Sequence, residues 1–336
     1  MLCQFHDCLP GSSIEMCYDE SDALYEKIFR TGRDILDTIW QAHSFSGSLS
    51  GKSKLFSVNT LPWKRTELVK LPVSSSQLVE AVPQYGIIRT DNFGFDSVEP
   101  LPPTVSEACL TVSIQEVTPG IFILANKQLR IQVERGCITS IIDRSSGHPR
   151  EVIQDGNRAN QFVIFDDKPL NWQAWDVEVY HLNSRQELAS SHTQLLEEGP
   201  YKVSVVTETK ISESSWAKTT ISLSPVLDGQ PSFVEISTEV EWRESMKFLK
   251  VEFPVSVTNK EASYETQFGV MTRPTHYNTT YGLLMKSNPS SLADKNTDGI
   301  WQNSKSAVIN GPISRSTILA YQSSMTQSTD LQHLGA

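Results

Sequence analysis

The longest regular feature of the sequence is a succession of β-strand patterns between Leu110 and about Thr280. Leu129, Ile131 and Val133 alternate with polar residues, and a turn signal follows at Gly136 before the alternation resumes. Alternation with a period of two is typical of strands that bury one face, and this pair predicts a hairpin. Further strand-like segments are 201–211, 216–223, 233–242 and 248–257. Many strands at roughly regular spacing predict a large antiparallel β-sandwich.

The last of these segments separates two faces clearly. One face carries Phe248, Lys250, Glu252 and Pro254, and the other carries Leu249, Val251, Phe253 and Val255. Because successive side chains of a strand point to opposite faces, the second set predicts a clear apolar side for this strand.

From Ile14 to about Trp40 the pattern is that of an amphipathic helix, preceded by a capping box from Ser12 to Glu15. Charged residues fill most of one face. The apolar stripe on the other face consists of Ile14, Tyr18, Leu24, Ile28, Ile35 and Ile39. Such a stripe is typical of core packing, yet a lone helix cannot bury it. Either partner helices precede this one in a longer protein, or the stripe is exposed.

The predicted fold class is therefore mainly β with an N-terminal α segment. A helical segment at 1–44 is followed by a Ser/Gly-rich linker at 45–54, a small β domain at 55–110 and the sandwich at 111–280. Residues 281–336 are rich in Ser, Asn, Thr and Gln, which predicts disorder. Only the runs 307–309 and 317–319 are strand-like there.

Charge and cysteine content exclude several classes of protein. The net charge of −10 and pI near 5.2 leave no broad basic surface for nucleic acid or anionic lipid. No apolar run is long enough to cross a membrane, and no secretory signal is recognisable. The five cysteines are odd in number and lack zinc-knuckle spacing, which fits a reducing compartment. We therefore expect a cytoplasmic protein.

Near the start of the chain a histidine and an aspartate stand side by side, just before a turn and a helix start. The stretch reads Gln4-Phe5-His6-Asp7-Cys8-Leu9-Pro10-Gly11-Ser12. His6 offers an imidazole nitrogen to a metal, and Asp7 accepts hydrogen bonds, for instance from sugar hydroxyls. The alternative is a surface pair without a ligand, because a zinc site needs three or four ligands and His6 supplies one.

This stretch resembles a motif of the class II α-mannosidases of glycoside hydrolase family 38, in their cytosolic and vacuolar branch. The resemblance implies that His6 is a zinc ligand and that Asp7 contacts the bound mannose. It implies that the N-terminal helix is a remnant of a three-helix bundle, and that the sandwich is the mutarotase-like C-terminal domain of the family. Residues 59–65 and 264–279 also resemble the family. A vacuolar or lysosomal location is the family alternative to the cytoplasm.

A tryptophan-rich stretch extends the resemblance. It reads Asn171-Trp172-Gln173-Ala174-Trp175-Asp176, with Gln173 where relatives usually carry an acid. Aromatic faces beside carboxylates suit sugar binding, although both tryptophans also fit a sandwich core. We expect the substrate-binding rim to consist of Trp175, Asp176, Arg273 and His276. Ordinary interdomain hydrogen bonds are the alternative for Arg273 and His276.

The implied activity is hydrolysis of terminal α-linked mannose from oligosaccharides, in free oligosaccharide or mannan catabolism, by a retaining zinc-dependent mechanism. Such a mechanism needs two carboxylates about 5–5.5 Å apart. Neither can be matched in this chain, which also lacks the His-x-Asp pair of zinc ligands. The chain then requires a separate N-terminal catalytic domain and is inactive alone.

Three other functions fit the same residues. The first is a non-catalytic carbohydrate-binding sandwich. The second is a structural or interaction fragment, a homo-oligomer that associates through the apolar stripe. The third is an unrelated metal site built on His6, for which no other histidine has ligand-like spacing.

Overall fold

The computed structural model describes residues 3, 5–8, 13–44, 56–71, 85–101, 111–171, 179–227, 231–256, 259–266, 269–274, 307–308 and 321–323. Its contacts divide the chain into two compact units. The first comprises Met1–Phe56 and Pro169–Asp176, and the second comprises Ser57–Lys168 and Val177–Ala336. The predicted class, mainly β with an N-terminal α segment, is confirmed. The predicted domain limits remain a prediction.

The first unit contains one long helix, α1 (Glu15–Ser44). Its apolar stripe is exposed: the side chains of Ile28 and Ile35 are 57% and 55% exposed, and Leu24 and Ile39 are exposed as well. The stripe is therefore exposed within the described part of the chain, and its burial by helices of a longer protein stays a prediction. Ser12, the expected cap, lies outside that part. None of the helices in the described part of the chain combines the length and apolar character needed to span a bilayer.

The strands belong to the second unit, except that Phe56, the first residue of β1, is assigned to the first unit. The strands of the first half are β1 (Phe56–Val58), β2 (Arg65–Lys70), β3 (Tyr85–Thr90), β4 (Phe95–Ser97), β5 (Glu99–Pro100), β6 (Ser113–Thr118), β7 (Ile121–Ala125), β8 (Leu129–Glu134), β9 (Cys137–Asp143), β10 (Arg150–Glu151) and β11 (Gln161–Asp166).

A 3₁₀ helix (Val179–Ser184) follows. The strands of the second half are β12 (Gln186–Glu187), β13 (Gln194–Glu198), β14 (Val203–Lys210), β15 (Trp216–Leu223), β16 (Glu235–Glu241), β17 (Lys247–Glu252), β18 (Glu261–Thr266), β19 (Gly269–Pro274), β20 (Ala307–Val308) and β21 (Tyr321–Ser323). The strands predicted at 201–211, 216–223 and 233–242 are thus confirmed to within two residues.

Two five-stranded sheets enclose the main core. One has the order β10-β9-β8-β7-β6 and the other β13-β14-β15-β16-β21, and all their pairs are antiparallel except β16 with β21. Alternate residues of both sheets contribute to one buried apolar cluster that includes Leu124, Ile131, Ile221 and Ile236. Burial of such side chains is the main stabilising term for a sandwich.

The predicted hairpin is formed by β8 and β9. Glu134 pairs with Cys137, which leaves Arg135 and Gly136 as a two-residue loop. Their φ angles of 49° and 73° are those of a type I′ turn, whose twist matches that of the flanking strands.

Smaller sheets extend the second unit. They have the orders β2-β3-β5, β12-β11-β17, β19-β18-β20 and β1-β4. Tyr85 of β3 is buried, its hydroxyl donates to the Glu197 carboxylate of β13, and its ring lies 6.2 Å from that of Tyr201. These contacts attach the β2-β3-β5 sheet to the sandwich.

Strand β17 is shorter than the predicted segment 248–257, and more than its predicted apolar side is buried. It ends at Glu252, two residues before Pro254, which has no amide hydrogen for the ladder. Its apolar side is part of a second buried cluster, in which Leu249 and Val251 are partly buried. The polar residues Lys250 and Glu252 are buried more deeply, at 6% and 7% exposure. The predicted apolar side of this strand is therefore found, and the opposite polar face is buried as well.

Two short strands lie in the region 281–336. Ala307 and Val308 form β20, which pairs with β18, and β21 pairs in parallel with β16. The rest of the region, including the run 317–319, lies outside the described residues, as does the linker 45–54.

Candidate functional site

His6 and Asp7 lie together in a turn that precedes α1. The Cys8 amide donates to the Phe5 carbonyl at 2.9 Å, which closes the turn, and the His6 ring lies 4.2 Å from the Phe5 ring. Nε2 of His6 is 3.3 Å from Oδ1 of Asp7. The two side chains are 64% and 43% exposed. A ligand arriving from solvent can therefore reach both groups.

Tyr18, in the first turns of α1, connects this turn to the helix. Its hydroxyl donates to the Asp7 carbonyl at 3.3 Å and accepts from the Ser13 amide at 2.9 Å. The amide of Ser13 precedes the helix, where backbone donors have no partner within the helix. One phenol hydroxyl thus satisfies a donor at the helix start and holds the backbone of Asp7. The sequence pattern placed Tyr18 in the apolar stripe and gave no sign of this role.

The donor set can be tested against the zinc that the resemblance implies. Within the described part of the chain, no group of three or more His, Cys, Asp or Glu side chains is arranged to hold a metal ion. Cys3, Cys8 and Cys17, which are close to this turn in the sequence, are free thiols. Structural and catalytic zinc sites use at least three protein ligands. The residues described here therefore do not form a zinc site by themselves.

Of the other expected site residues, the structure describes Arg273. Arg273 is partly buried on β19 in the second unit, and its Nε donates to Sδ of Met271 at 3.3 Å. Trp175, Asp176 and His276 lie outside the described residues. The expected substrate-binding rim therefore remains a prediction.

A polar cluster that the sequence did not reveal is buried in the second unit. Nζ of Lys250 lies 3.0 Å from Nε2 of His181 and over the rings of Phe165 and Phe248, 4.5 Å and 4.6 Å from their centroids. Both polar residues are almost wholly buried. Burial lowers the pKa of Lys250 to about 7, although the neighbouring carboxylate of Glu252 opposes this shift.

The Glu252 carboxylate is committed to another cation. Nη2 and Nε of Arg185 donate to it at 2.6 Å and 3.2 Å, a bidentate pair. Because Glu252 is paired with Arg185, little negative charge is left to stabilise the protonated amine of Lys250. This explains why burial lowers its pKa. The only sequence signal for this cluster was a lysine and a glutamate on the polar face of a predicted strand.

Comparison with known proteins gives matches across most of the chain. Residues 124–284 match the C-terminal domain of glycosyl hydrolases family 38. Human α-mannosidase 2C1 is 36% identical over 291 residues, which cover 84% of this chain and 26% of that protein. The α-mannosidase of Saccharomyces cerevisiae is 37% identical over 302 residues, which cover 84% of this chain and 24% of that protein. The chain spans about a quarter of the length of these curated relatives.

A crystal structure of an α-mannosidase from Enterococcus faecalis V583 is also similar. It is 12% identical with a TM-score of 0.39, over 69% of this chain and 30% of that chain.

Proposed function

Because residues 124–284 belong to the C-terminal domain of glycosyl hydrolases family 38, we propose that this chain acts as the C-terminal portion of an α-mannosidase. The observation that carries the proposal is the 36% identity to human α-mannosidase 2C1 across 84% of the chain. The substrate is then an oligosaccharide with terminal α-linked mannose, cleaved with retention. The nucleophile and the acid come from an N-terminal catalytic domain.

In this proposal the turn before α1 forms part of the sugar site. The Asp7 carboxylate is exposed enough to accept hydrogen bonds from two sugar hydroxyls. Tyr18 holds the Asp7 backbone through its carbonyl, which fixes the carboxylate relative to the helix. Trp175, Asp176, Arg273 and His276 are proposed as further sugar contacts on the grounds of sequence alone.

His6 is proposed as one zinc ligand, the remaining ligands coming from the catalytic domain. Zinc bound there would supply Lewis-acid and orienting chemistry toward sugar hydroxyls. A single exposed imidazole binds zinc weakly, so the isolated chain should neither retain the metal nor turn over substrate. A cytoplasmic location belongs to the same proposal, and it is supported by the free thiols of Cys3, Cys8, Cys17 and Cys137.

The test is a chimera in which this chain replaces the matching segment of the Saccharomyces cerevisiae α-mannosidase. We expect the chimera to release p-nitrophenol from p-nitrophenyl α-mannoside and to contain zinc by elemental analysis. The isolated chain should do neither. His6→Ala in the chimera should lower kcat/KM by more than about 100-fold and reduce the zinc content, because a ligand matters at least as much as its supporting contacts.

His148→Ala serves as the matched control, because His148 is an exposed histidine on the loop before β10. It should leave both the activity and the zinc content unchanged. A folded chimera without activity would contradict the proposal. So would turnover at an enzyme-like rate by the isolated chain.

A further inference from the structure

Two loops of the second unit are joined by one buried amide. Asn59 is 2% exposed, and its Nδ2 donates to the Trp63 carbonyl at 2.7 Å and to the Asp91 carbonyl at 2.8 Å. Its Oδ1 accepts from the Leu61 amide at 3.1 Å. The side-chain amide of Asn59 thus forms hydrogen bonds with the backbone of both loops through its nitrogen and its oxygen.

Backbone hydrogen bonds reinforce the junction. The Asn59 amide donates to the Gly94 carbonyl at 2.8 Å, and the Phe93 amide donates to the Leu61 carbonyl at 3.0 Å. A Cβ atom at Gly94 would lie 2.7 Å from the Asp91 carbonyl oxygen, so the second loop is a tight turn that accepts only glycine there. The two loops therefore form one rigid structure.

This rigid structure presents two large aromatic side chains to solvent. Trp63 is 58% exposed and Phe93 is 70% exposed. Phe93 also has a φ of 50°, a left-handed conformation that is rare for a bulky residue. Neither ring is placed there by burial of its own surface. An unfavourable backbone that holds an exposed ring in position indicates a function for that ring.

Charged groups beside the rings are paired with each other. Nζ of Lys64 lies 2.7 Å from Oδ1 of Asp91, and the two side chains are 80% and 72% exposed. The hydrogen bond that Lys64 donates to the Asp91 carboxylate raises the pKa of Lys64. The surface formed by Trp63, Lys64, Asp91 and Phe93, which we call the aromatic platform, is therefore neutral as a whole and offers both donors and acceptors.

These properties select among the ligands that exposed aromatic rings can bind. Fully buried aromatic side chains contribute roughly 150–250 Å² each, so the two rings offer a few hundred Å² at most. The centres of protein interfaces are depleted of charged residues, whereas the charged pair of Lys64 and Asp91 is part of this surface. A neutral sugar fits better, because its C–H faces pack on aromatic rings while its hydroxyls bind charged or polar groups at the edge.

We propose that the aromatic platform binds a neutral oligosaccharide, with Trp63 and Phe93 packing on sugar rings and Lys64 and Asp91 binding hydroxyls. The choice of an α-linked manno-oligosaccharide as ligand rests on the proposed function. The location of the site is inferred from the exposed rings and the charged pair of the platform alone. It lies entirely on β1–β4 and their connecting loops, and it involves none of the residues proposed above for catalysis.

The test is a titration of the full chain with α-linked mannotriose, followed by the indole N–H resonance of Trp63 in ¹⁵N spectra. Trp63→Phe assigns this resonance among those of the seven tryptophans. We expect a saturable shift of the Trp63 signal. Trp63→Ala and Phe93→Ala, measured by calorimetry, should each weaken binding by roughly five- to tenfold, the range expected for loss of one aromatic contact.

Trp216→Ala and Phe233→Ala are the matched controls, because they remove a tryptophan and a phenylalanine that are 42% and 47% exposed elsewhere on the same unit. They should leave the affinity unchanged. Equal affinities in all four variants, or a Trp63 signal that does not respond to mannotriose, would overturn the proposal. So would binding to phosphatidylcholine vesicles that both platform variants lose, since the rings would then be a membrane contact.

The titration requires no turnover, which separates this proposal from the proposed function. Mannotriose binding by the isolated chain together with an inactive chimera would support the aromatic platform as a sugar site and reject the proposed mannosidase function. An active chimera without mannotriose binding at Trp63 would support the mannosidase function and reject the aromatic platform as a sugar site.

Discussion

At the scale of single residues, Tyr18 decides how the turn that carries His6 and Asp7 is held. Its hydroxyl accepts from Ser13 and donates to the Asp7 carbonyl. The imidazole and the carboxylate are exposed, so their own contacts do little to fix the turn. A phenol on the helix therefore supplies the order that a binding site before α1 would need.

We predict that Tyr18→Phe loosens this turn without unfolding α1. Loss of two hydrogen bonds should cost about 0.5–1.5 kcal/mol each, and only locally. Amide hydrogen exchange at Ser13 should become faster, and the His6 ring resonances should shift. Tyr25→Phe, on the same helix but stacked on Phe29 at 6.1 Å, is the control and should change neither. Unchanged exchange in Tyr18→Phe would show that the hydroxyl does not hold the turn.

Lys250 makes the stability of the second unit dependent on pH. Its pKa is lowered from 10.5 to about 7 in the folded chain, so the folded state favours the neutral amine. Above pH 10.5 the amine is neutral in both states and causes no penalty. Between pH 10.5 and about 7 only the unfolded chain binds the proton, so stability falls as pH falls, by up to about 1.4 kcal/mol per pH unit.

We predict that Lys250→Met removes this slope and raises the free energy of unfolding near pH 7. The lowered pKa corresponds to a gain in the free energy of unfolding of at most roughly 5 kcal/mol. About 1 kcal/mol of this is offset by the lost contact with His181. Urea unfolding at several pH values between about 7 and 10 measures it. Lys247→Met is the control, because Lys247 lies on the same strand but pairs with Asp166 at the surface. A slope as steep in Lys250→Met as in the parent would contradict the assignment.

At the scale of elements, the β8–β9 turn requires glycine at position 136 for two separate reasons, its backbone conformation and the atoms around it. Gly136 has a φ of 73°, and a Cβ there would lie 2.9 Å from Cγ2 of Thr207 and 3.2 Å from Oγ of Ser190. Gly147 has a similar φ of 79°, but a Cβ atom there would meet no atom of the described residues within 4 Å. The two glycines therefore separate backbone strain from steric crowding.

We predict that Gly136→Ala destabilises the protein more than Gly147→Ala. Backbone strain alone should cost about 1 kcal/mol in both variants, and crowding should add about 1–3 kcal/mol at Gly136. Thermal or urea unfolding of the two variants gives the difference. Equal losses would mean that Thr207 moves aside without cost.

Strand β17 shows what alternation alone leaves undecided about an element. The pattern identifies which side chains share a face, and it did so correctly here. It does not tell which faces are covered, because that depends on other elements. In this strand the 3₁₀ helix places His181 against Lys250, and Arg185 reaches Glu252. The polar face of this strand is thereby buried.

At the scale of the whole molecule, the two units differ in how much of their apolar surface is buried. The sandwich has a continuous core in which Leu124, Ile131 and Ile141 are inaccessible to solvent. Helix α1 leaves Ile28, Ile35 and Ile39 exposed within the part of the chain that the structure describes. The chain also spans only about a quarter of the curated α-mannosidases that it resembles. The resemblance to family 38 is confirmed by these matches, and the activity remains a proposal.

The sequence by itself determined the fold class, the helix, the hairpin and most strands of the sandwich. These follow from periodicity and turn chemistry, which are properties of neighbouring residues. It also identified the His6-Asp7 pair and the family. Only the tertiary structure decided the contacts between distant residues: Tyr18 on Asp7, Lys250 against His181, and Asn59 between the loops of Trp63 and Phe93. Such contacts depend on which segments meet in space, and no local pattern carries that information.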